Sequence, residues 1–188
     1  KFLYVEILQN FILHCKNMSI RIVEFKAAVK NTDAAEKKLL SLNPFFKGED
    51  RQVDTYFNVA TGRLKLREGK IEHALIWYDR ANDASSKLSN VLLYKHQPDA
   101  ILKDVLVKAN GIKVVVDKRR RIYFIDNVKF HFDTVEGLGK FIEVEAIDES
   151  GELGIEKIQQ QCDHYISFFG IESHEFMSLS YSDMLLKN

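Results

Sequence analysis

Hydrophobic and polar residues alternate with a period of two along much of the chain, the pattern of β-strands with two unlike faces. The clearest run follows Glu136-Gly137-Leu138-Gly139. There Phe141, Glu143 and Glu145 fall on one side and Ile142, Val144 and Ala146 on the other. From Ile20 to Val29 the same rule sets Ile22, Glu24 and Lys26 against Val23, Phe25 and Ala27. Phe45 to Asn58 is a long strand with Asp50, Gln52, Asp54, Tyr56 and Asn58 on one face. After a Thr61-Gly62 turn, Arg63 to Arg67 alternates strictly, and Ile71 to Arg80 and Lys87 to Lys95 follow. Ile112 to Ile125, Val128 to Val135 and Lys140 to Ile147 complete the series, with Asp126-Asn127 as a tight turn between the first two. Helical spacing replaces alternation in three places. One helix begins at Asp33, with Asn31 or Thr32 as N-cap, and ends at Asn43-Pro44; another runs from Pro98 to Asn110 and stops at Gly111. The third spans Gly154 to Phe169 and is closed by Gly170, and the tail from Ser180 to Leu186 reads as a short docked segment.

About eight strands joined in hairpins either leave exposed edges or close into a barrel. The charged faces decide what such a barrel is for. Arg63, Lys65 and Arg67 line up on one side of their strand, as do Tyr78 with Arg80 and Lys118 with Arg120; Asp133, Glu143 and Glu145 supply the opposite sign. For any one strand the ordinary reading is that the charges are solvated and the apolar face is inside. The amphipathic helices change this, because they need apolar partners. If they cover the outside of the barrel, the charges point inward. Two carboxylates two residues apart, about 7 Å along a strand, then become hard oxygen ligands for Mg²⁺ or Mn²⁺. A lumen with bases on one wall and carboxylates on another would bind a polyanion through metal ions.

Composition narrows the partners. The chain has 188 residues, 46% of them hydrophobic, enough for one well-buried domain. Lys+Arg 27 balance Asp+Glu 27, which argues against a nucleic-acid binder. Cys15 and Cys162 are far apart and outside any CxxC, which fits a reduced, cytoplasmic protein. Residues 1–17 are mostly apolar but too short to span a membrane, and Glu6 breaks any signal-peptide core. With Met18 as a natural start, they read as an extension ahead of one domain over 18–188. Packed by Phe2, Leu3, Leu8 and Ile12, that extension lies against its own domain or across a homodimer contact.

Several segments together resemble a known family. These are Val23-Glu24-Phe25-Lys26-Ala27, Gln52-Val53-Asp54-Thr55-Tyr56-Phe57, Gly62-Arg63-Leu64-Lys65-Leu66-Arg67-Glu68, Val116-Asp117-Lys118-Arg119-Arg120, His131-Phe132-Asp133 and Phe141-Ile142-Glu143-Val144-Glu145. In this order, on alternating strands, they are similar to the CYTH domain, the triphosphate tunnel metalloenzymes, which include class IV adenylyl cyclases, thiamine triphosphatases and inorganic tripolyphosphatases. The resemblance implies an α+β, mainly β fold: an eight-stranded antiparallel closed barrel with helices packed outside and a hydrophilic tunnel. It implies a substrate such as ATP, thiamine triphosphate or tripolyphosphate, with Mg²⁺ or Mn²⁺ as cofactor. Carried onto this chain, it assigns Arg63, Lys65, Arg67, Arg80, Lys118 and Arg120 to phosphate, where Arg forks and Lys point charges suit phosphate oxygens. Lys26 joins Glu143 and Glu145 as a catalytic candidate. Glu24, Asp133, Glu143 and Glu145 are the metal candidates, and Tyr56 a hydrogen-bond donor to phosphate. The family's N-terminal signature is Glu-x-Glu-x-Lys, and here Ile22 stands in place of the first acid.

Other constellations fail. Gly137-Leu138-Gly139-Lys140 lacks the spacing of a P-loop, the histidines form no HExxH, and no GxSxG occurs. Three functions from different classes remain. They are a metal-dependent enzyme on triphosphates, a non-catalytic triphosphate sensor, and a barrel with outward charges that carries an apolar ligand. Within the first, hydrolysis is favoured over cyclisation of ATP, since cyclisation also needs the ribose and base held for in-line attack. Nothing in the sequence reads as a purine pocket, although Tyr56, Trp77 and Tyr78 are aromatic rings that could stack on one.

Overall fold

A computed structural model describes residues 20–29, 31–80 and 86–187, with the backbone alone at position 80. The extension expected over residues 1–17 lies outside these. The strands are β1 (Ile20–Ala27), β2 (Phe45–Phe57), β3 (Arg63–Glu68), β4 (His73–Arg80), β5 (Lys87–Lys95), β6 (Ile112–Ile125), β7 (Val128–Val135) and β8 (Gly139–Asp148). The described helices are α1 (Thr32–Leu40), α2 (Ala100–Asn110), α3 (Ile155–Phe169) and α4 (Tyr181–Leu185), with a 3₁₀ turn at Ser173–Glu175. No described helix is long and apolar enough to cross a membrane.

The strands close into an antiparallel barrel in the order β1-β5-β4-β3-β2-β6-β7-β8. Closure leaves no unpaired strand edge, so every strand has two hydrogen-bonded neighbours. The register places like-facing residues side by side. Glu24 lies opposite Glu145 and Lys26 opposite Glu143 across β1–β8, and Arg120 lies opposite Asp133 across β6–β7. A one-residue slip of any strand would exchange its two faces.

The apolar faces point outward and are covered. Val23 and Phe25 of β1, Phe130 and Phe132 of β7, and Ile142, Val144 and Ala146 of β8 pack with Ile158, Cys162 and Tyr165 of α3. Here the core sits between the barrel wall and a helix, so the charged faces are left to the interior. Cys162 is buried, and its Sγ donates to the Val23 carbonyl at 3.0 Å. Burial pushes this thiol up to about 12, so it is inert packing. A second cluster closes one end of the barrel, where Tyr56, Tyr78, Val116 and Phe141 meet Tyr181 of α4. Leu66 is buried on the outward face and Leu64 half-buried, and neither lines the interior, which removes the apolar-ligand barrel with outward charges.

Helix ends follow their capping residues. The Asn31 side chain accepts from the Ala34 N–H at 3.0 Å, the Asp99 side chain accepts from the N–H groups of Ile101 and Leu102, and Gly111 and Gly170 take positive φ at the C-caps. The tail forms a true helical turn in which the Ser180 Oγ accepts from the Asp183 N–H at 3.1 Å. Trp77 proves to be part of the outer wall: its indole N–H donates to the Thr61 carbonyl at 3.1 Å and its ring lies against Gly62, where a side chain would not fit.

Phe130 tests the external core. It is fully buried, 4.7 Å from the Tyr165 ring and edge-on to it. Phe130→Ala should lower stability by about 3–5 kcal/mol, read as a lower urea midpoint at unchanged m. A loss below 1 kcal/mol would mean that α3 is not what holds the barrel's apolar wall.

Candidate functional site

The barrel encloses a tunnel with a volume of about 1190 Å³. Glu24, Lys26, Tyr56, Lys65, Arg67, Lys118, Arg120, Glu143 and Glu145 all line it, as their strand faces predict. Most of their charge is buried: Lys118 and Arg120 are each 2% exposed. Buried charges need partners, and the tunnel supplies them internally.

One carboxylate gathers three cations. Asp54 accepts from Lys65 Nζ at 3.0 Å, Lys118 Nζ at 2.7 Å, and Arg67 Nε and Nη2 at 2.8 and 3.0 Å. Burial alone would raise the Asp54 pKa, but Arg67, Lys118 and Lys65 hold it well below the usual carboxylate range. Lys118 is lowered to about 7, first by burial and then by the neighbouring Arg67, Arg120 and Lys65, against the pull of Asp54. Lys65 also lies 5.4 Å from the Tyr56 ring centre and 5.7 Å from that of Tyr78.

A second carboxylate group lies along β7 and β8. Arg120 donates to both oxygens of Asp133, at 2.7 and 2.6 Å, and to Glu143 Oε2 at 2.6 Å; Lys26 pairs with Glu143 Oε1. Burial would raise the Glu143 pKa, yet Lys26 and Arg120 keep it well below the usual range. The Tyr181 hydroxyl donates to Asp133 at 2.7 Å, and the Lys26 ammonium sits 4.1 Å from the Tyr181 ring centre. α4 thus caps the tunnel end nearest Lys26.

A third carboxylate comes from the β3–β4 turn. Glu72 accepts from Arg67 Nη1 and Gln52 Nε2, both at 2.9 Å, and pairs with Lys129. Burial would raise its pKa; Lys129 and Arg67 hold it well below the usual range. Asp50 fixes this turn by accepting from the N–H groups of Lys70 and Glu72 at 2.8 and 3.1 Å. Gly69 fits there because any side chain would run into the Asp50 carboxylate.

Two assigned residues stand apart from the tunnel lining. Arg63 turns to α4, pairing with Asp183 at 3.0 Å and stacking over Tyr78. Its position at the start of β3, beside the docked tail, draws it out of the lumen. Asp133 is not among the lining residues; Arg120 donates to both its oxygens and the Tyr181 hydroxyl to one of them. The side chain of Arg80 lies outside the described residues. Asp54, Glu72, His131 and Lys129 were missed. Alternation did place Asp54 on the face of Tyr56 and His131 on that of Asp133, but Glu72 sits in a turn, which carries no periodicity.

The donor set suits a divalent cation. His131, Glu143 and Glu145 each present a ligand atom, all within 4.8 Å of one another, and Glu24 faces Glu145 across the β1–β8 ladder. Carboxylate oxygens with one imidazole fit a hard or borderline ion. Burial and then the neighbouring Arg120 lower the His131 pKa, while Glu145 and Glu143 pull it up. Ile22, one step further along β1, lies opposite Ile147 and lines the tunnel as an apolar residue.

The family model of the CYTH domain matches residues 21–173. The chain belongs to the CYTH domain family. It is 28% identical over 170 residues to adenylate cyclase CyaB of Aeromonas hydrophila, covering 85% of each chain. Among solved structures, the PH1012 protein of Pyrococcus horikoshii has a TM-score of 0.74 at 21% identity, over 86% of this chain and 98% of its own. HpAC1 of Hippeastrum, named for adenylyl cyclase and reported to have a dominant triphosphatase activity, has a TM-score of 0.57 at 15% identity, over 90% and 94% of the two chains. At these identities the structural likenesses speak to the CYTH barrel itself.

The carboxylates fix how the CYTH barrel responds to acid. Asp54, Glu72, Asp133 and Glu143 all have lowered pKa values in the folded protein. Their stabilisation is fully present above the ordinary carboxylate range, about pH 4, and is lost as pH falls through the folded values. The melting temperature should therefore hold between pH 7 and 5 and drop steeply below about pH 4. Asp54→Asn should melt lower at pH 7, with a shallower acid limb. A variant as stable as the parent at pH 7 would refute the role given to Asp54.

Proposed function

We propose that this protein is a divalent-metal-dependent enzyme that hydrolyses a triphosphate held in its tunnel. The observation that carries the reading is the buried convergence of Lys26, Lys65, Arg67, Lys118 and Arg120 beside Glu143 and Glu145. So many cations inside a barrel suit a ligand with several closely spaced negative charges.

The chain's own residues exchange partners on binding. Lys65, Arg67 and Lys118 turn from Asp54 to phosphate oxygens, and Lys26 and Arg120 share themselves between Glu143 and the substrate. Arg67 and Arg120 offer planar forks, while the lysines act as point charges. Glu143 and Glu145, with Glu24 and His131 beside them, would hold Mg²⁺ or Mn²⁺. Bound there, the metal supplies electrostatic stabilisation of charge that develops on the transferred phosphoryl group. Asp133 and Tyr181 keep the Arg120 fork aimed, and Tyr56 orients a phosphate oxygen through its hydroxyl. Hydrolysis asks only that the triphosphate be gripped and a water aligned, and it tolerates the apolar Ile22 in place of an acid. Cyclisation of ATP is the second reading, favoured by the similarity to a protein named adenylate cyclase.

Product analysis separates them. With Mg²⁺ or Mn²⁺ and ATP, thiamine triphosphate or tripolyphosphate, the purified protein should release phosphate and little cyclic AMP. Glu143→Gln should slow release by about 10²-fold or more. Cyclic AMP with pyrophosphate as main products would establish cyclisation, and tight binding without turnover would establish a sensor.

Lys118 gives an independent check. Burial holds the Lys118 pKa down to about 7 in the free protein, and a bound polyanion favours the charged form. Binding at pH 8 should take up a proton, seen as a calorimetric enthalpy that varies with the ionisation enthalpy of the buffer. Lys118→Met should remove that dependence. A buffer-independent enthalpy for the parent would place Lys118 outside the phosphate contact.

A further inference from the structure

Two histidines stand together at the open rim of the tunnel. Tyr78 of β4 reaches the end that α4 closes, and His73, at the other end of the same strand, borders the mouth together with His96. His96 follows the last residue of β5. The two come one step beyond the Ala74–Lys95 pair of the β4–β5 ladder, which makes them cross-strand neighbours. Their ring centres are 4.7 Å apart, with the planes at 79°. The Tyr94 ring stacks on His96 at 5.7 Å. On the other side of His73, Glu68 of β3 lies opposite it, and its Oε2 accepts from Lys103 of α2 at 2.6 Å. One carboxylate and two imidazoles thus stand in a row across three strands.

His96 is prepared as a ligand. Its Nδ1 lies 2.7 Å from the Gln97 carbonyl oxygen. A carbonyl only accepts, so Nδ1 carries the proton and Nε2 is a bare lone pair. Metal-bound histidines are held in this way, with the other ring N–H given to a carbonyl or carboxylate. The His96 Nε2 is buried and has no hydrogen-bond partner, which folds avoid unless something outside the chain supplies the missing contact. Ring packing alone accounts for the contact with His73 but not for a buried lone pair without a donor. The spacing suits an ion as well. Zinc bonds imidazole nitrogen at about 2.0–2.1 Å, and two rings on one ion at angles of about 90–110° have their centres about 4.5–5.2 Å apart. The observed 4.7 Å lies inside that range.

We propose that His73 and His96 bind a late first-row divalent ion, zinc before others, at the tunnel rim. Water fills its remaining positions, and the Glu68 carboxylate beside the pair offsets its charge. This site differs in class from the carboxylates of the lumen. Imidazole nitrogens suit Zn²⁺, Cu²⁺ and Ni²⁺, whereas Mg²⁺ and Mn²⁺ prefer oxygen. It also stands on other elements: β4 and the end of β5 carry it, while His131, Glu143 and Glu145 belong to β7 and β8. The proposal does not depend on the triphosphate reading and holds whatever the tunnel takes in. An ion so placed ties β4 to the chain leaving β5 and sets a fixed positive charge at the doorway.

The test uses the tag-free full chain, stripped with a chelator and kept in excess Mg²⁺ to compete at the lumen carboxylates. Zinc is titrated in by calorimetry, and long-range ¹H–¹⁵N spectra, assigned through the backbone, follow the rings of the six histidines. Zinc should shift the ring signals of His73 and His96. His73→Ala and His96→Ala should each lose that binding event, with melting curves to confirm folding. Where a variant does not fold, the spectra of the parent decide. Zinc that shifts the His131 ring and leaves His73 and His96 alone would put the ion among the lumen acids and overturn the proposal. A zinc affinity that either folded variant leaves unchanged would overturn it too, as would a parent that binds no zinc.

Discussion

A charge buried without a partner is among the most costly things a fold can contain, and this barrel buries many. Its solution is mutual neutralisation: Asp54 holds Lys65, Arg67 and Lys118, Glu72 holds Arg67 and Lys129, and Glu143 holds Lys26 and Arg120. Replacing both members of such a pair by apolar residues can be neutral or stabilising, whereas removing one partner is costly. Stability alone therefore gives no reason for these pairs. Their arrangement makes sense if the cations must be ready for an anion that comes and goes. On the proposed reading, the free tunnel keeps its bases assembled by giving them internal counterions that a bound anion replaces.

The fold depends on this choice in reverse. Once the interior is polar, the hydrophobic core must sit elsewhere, and α3 supplies it against the outer faces of β1, β7 and β8. Strand alternation that would place Val and Phe inside an ordinary barrel here places them under a helix. The same two-residue period thus serves two solvents, a packed helix outside and a charged channel inside.

Much of this was legible in the sequence. Alternation located all eight strands to within two residues at either end; the start of β4, at His73 rather than Ile71, and the end of β1, at Ala27 rather than Val29, were the loosest. It also set the inward face of the strand residues that line the tunnel, from Glu24 to Glu145. What alternation could not show was partnership across strands distant in sequence. Arg63 has the same periodicity as Lys65 and Arg67, yet Asp183, 120 residues away, pulls it toward α4. Asp133 shares the inward face of Glu143, and alternation gave no sign that Arg120 and Tyr181 donate to its oxygens. Glu72 had no signal because turns carry none.

The capped end has a kinetic meaning. Tyr181 and its helix lie across the tunnel beside Lys26, anchored on Asp133 and through Asp183 on Arg63. A passage capped at one end has a single doorway. On the proposed reading a triphosphate goes in phosphate-first to reach Lys26 and Arg120, and its product leaves by the way it came. A product lingering in that corridor blocks the next arrival, so turnover in such a vessel is governed by the order in which its contents leave as much as by the bond that breaks.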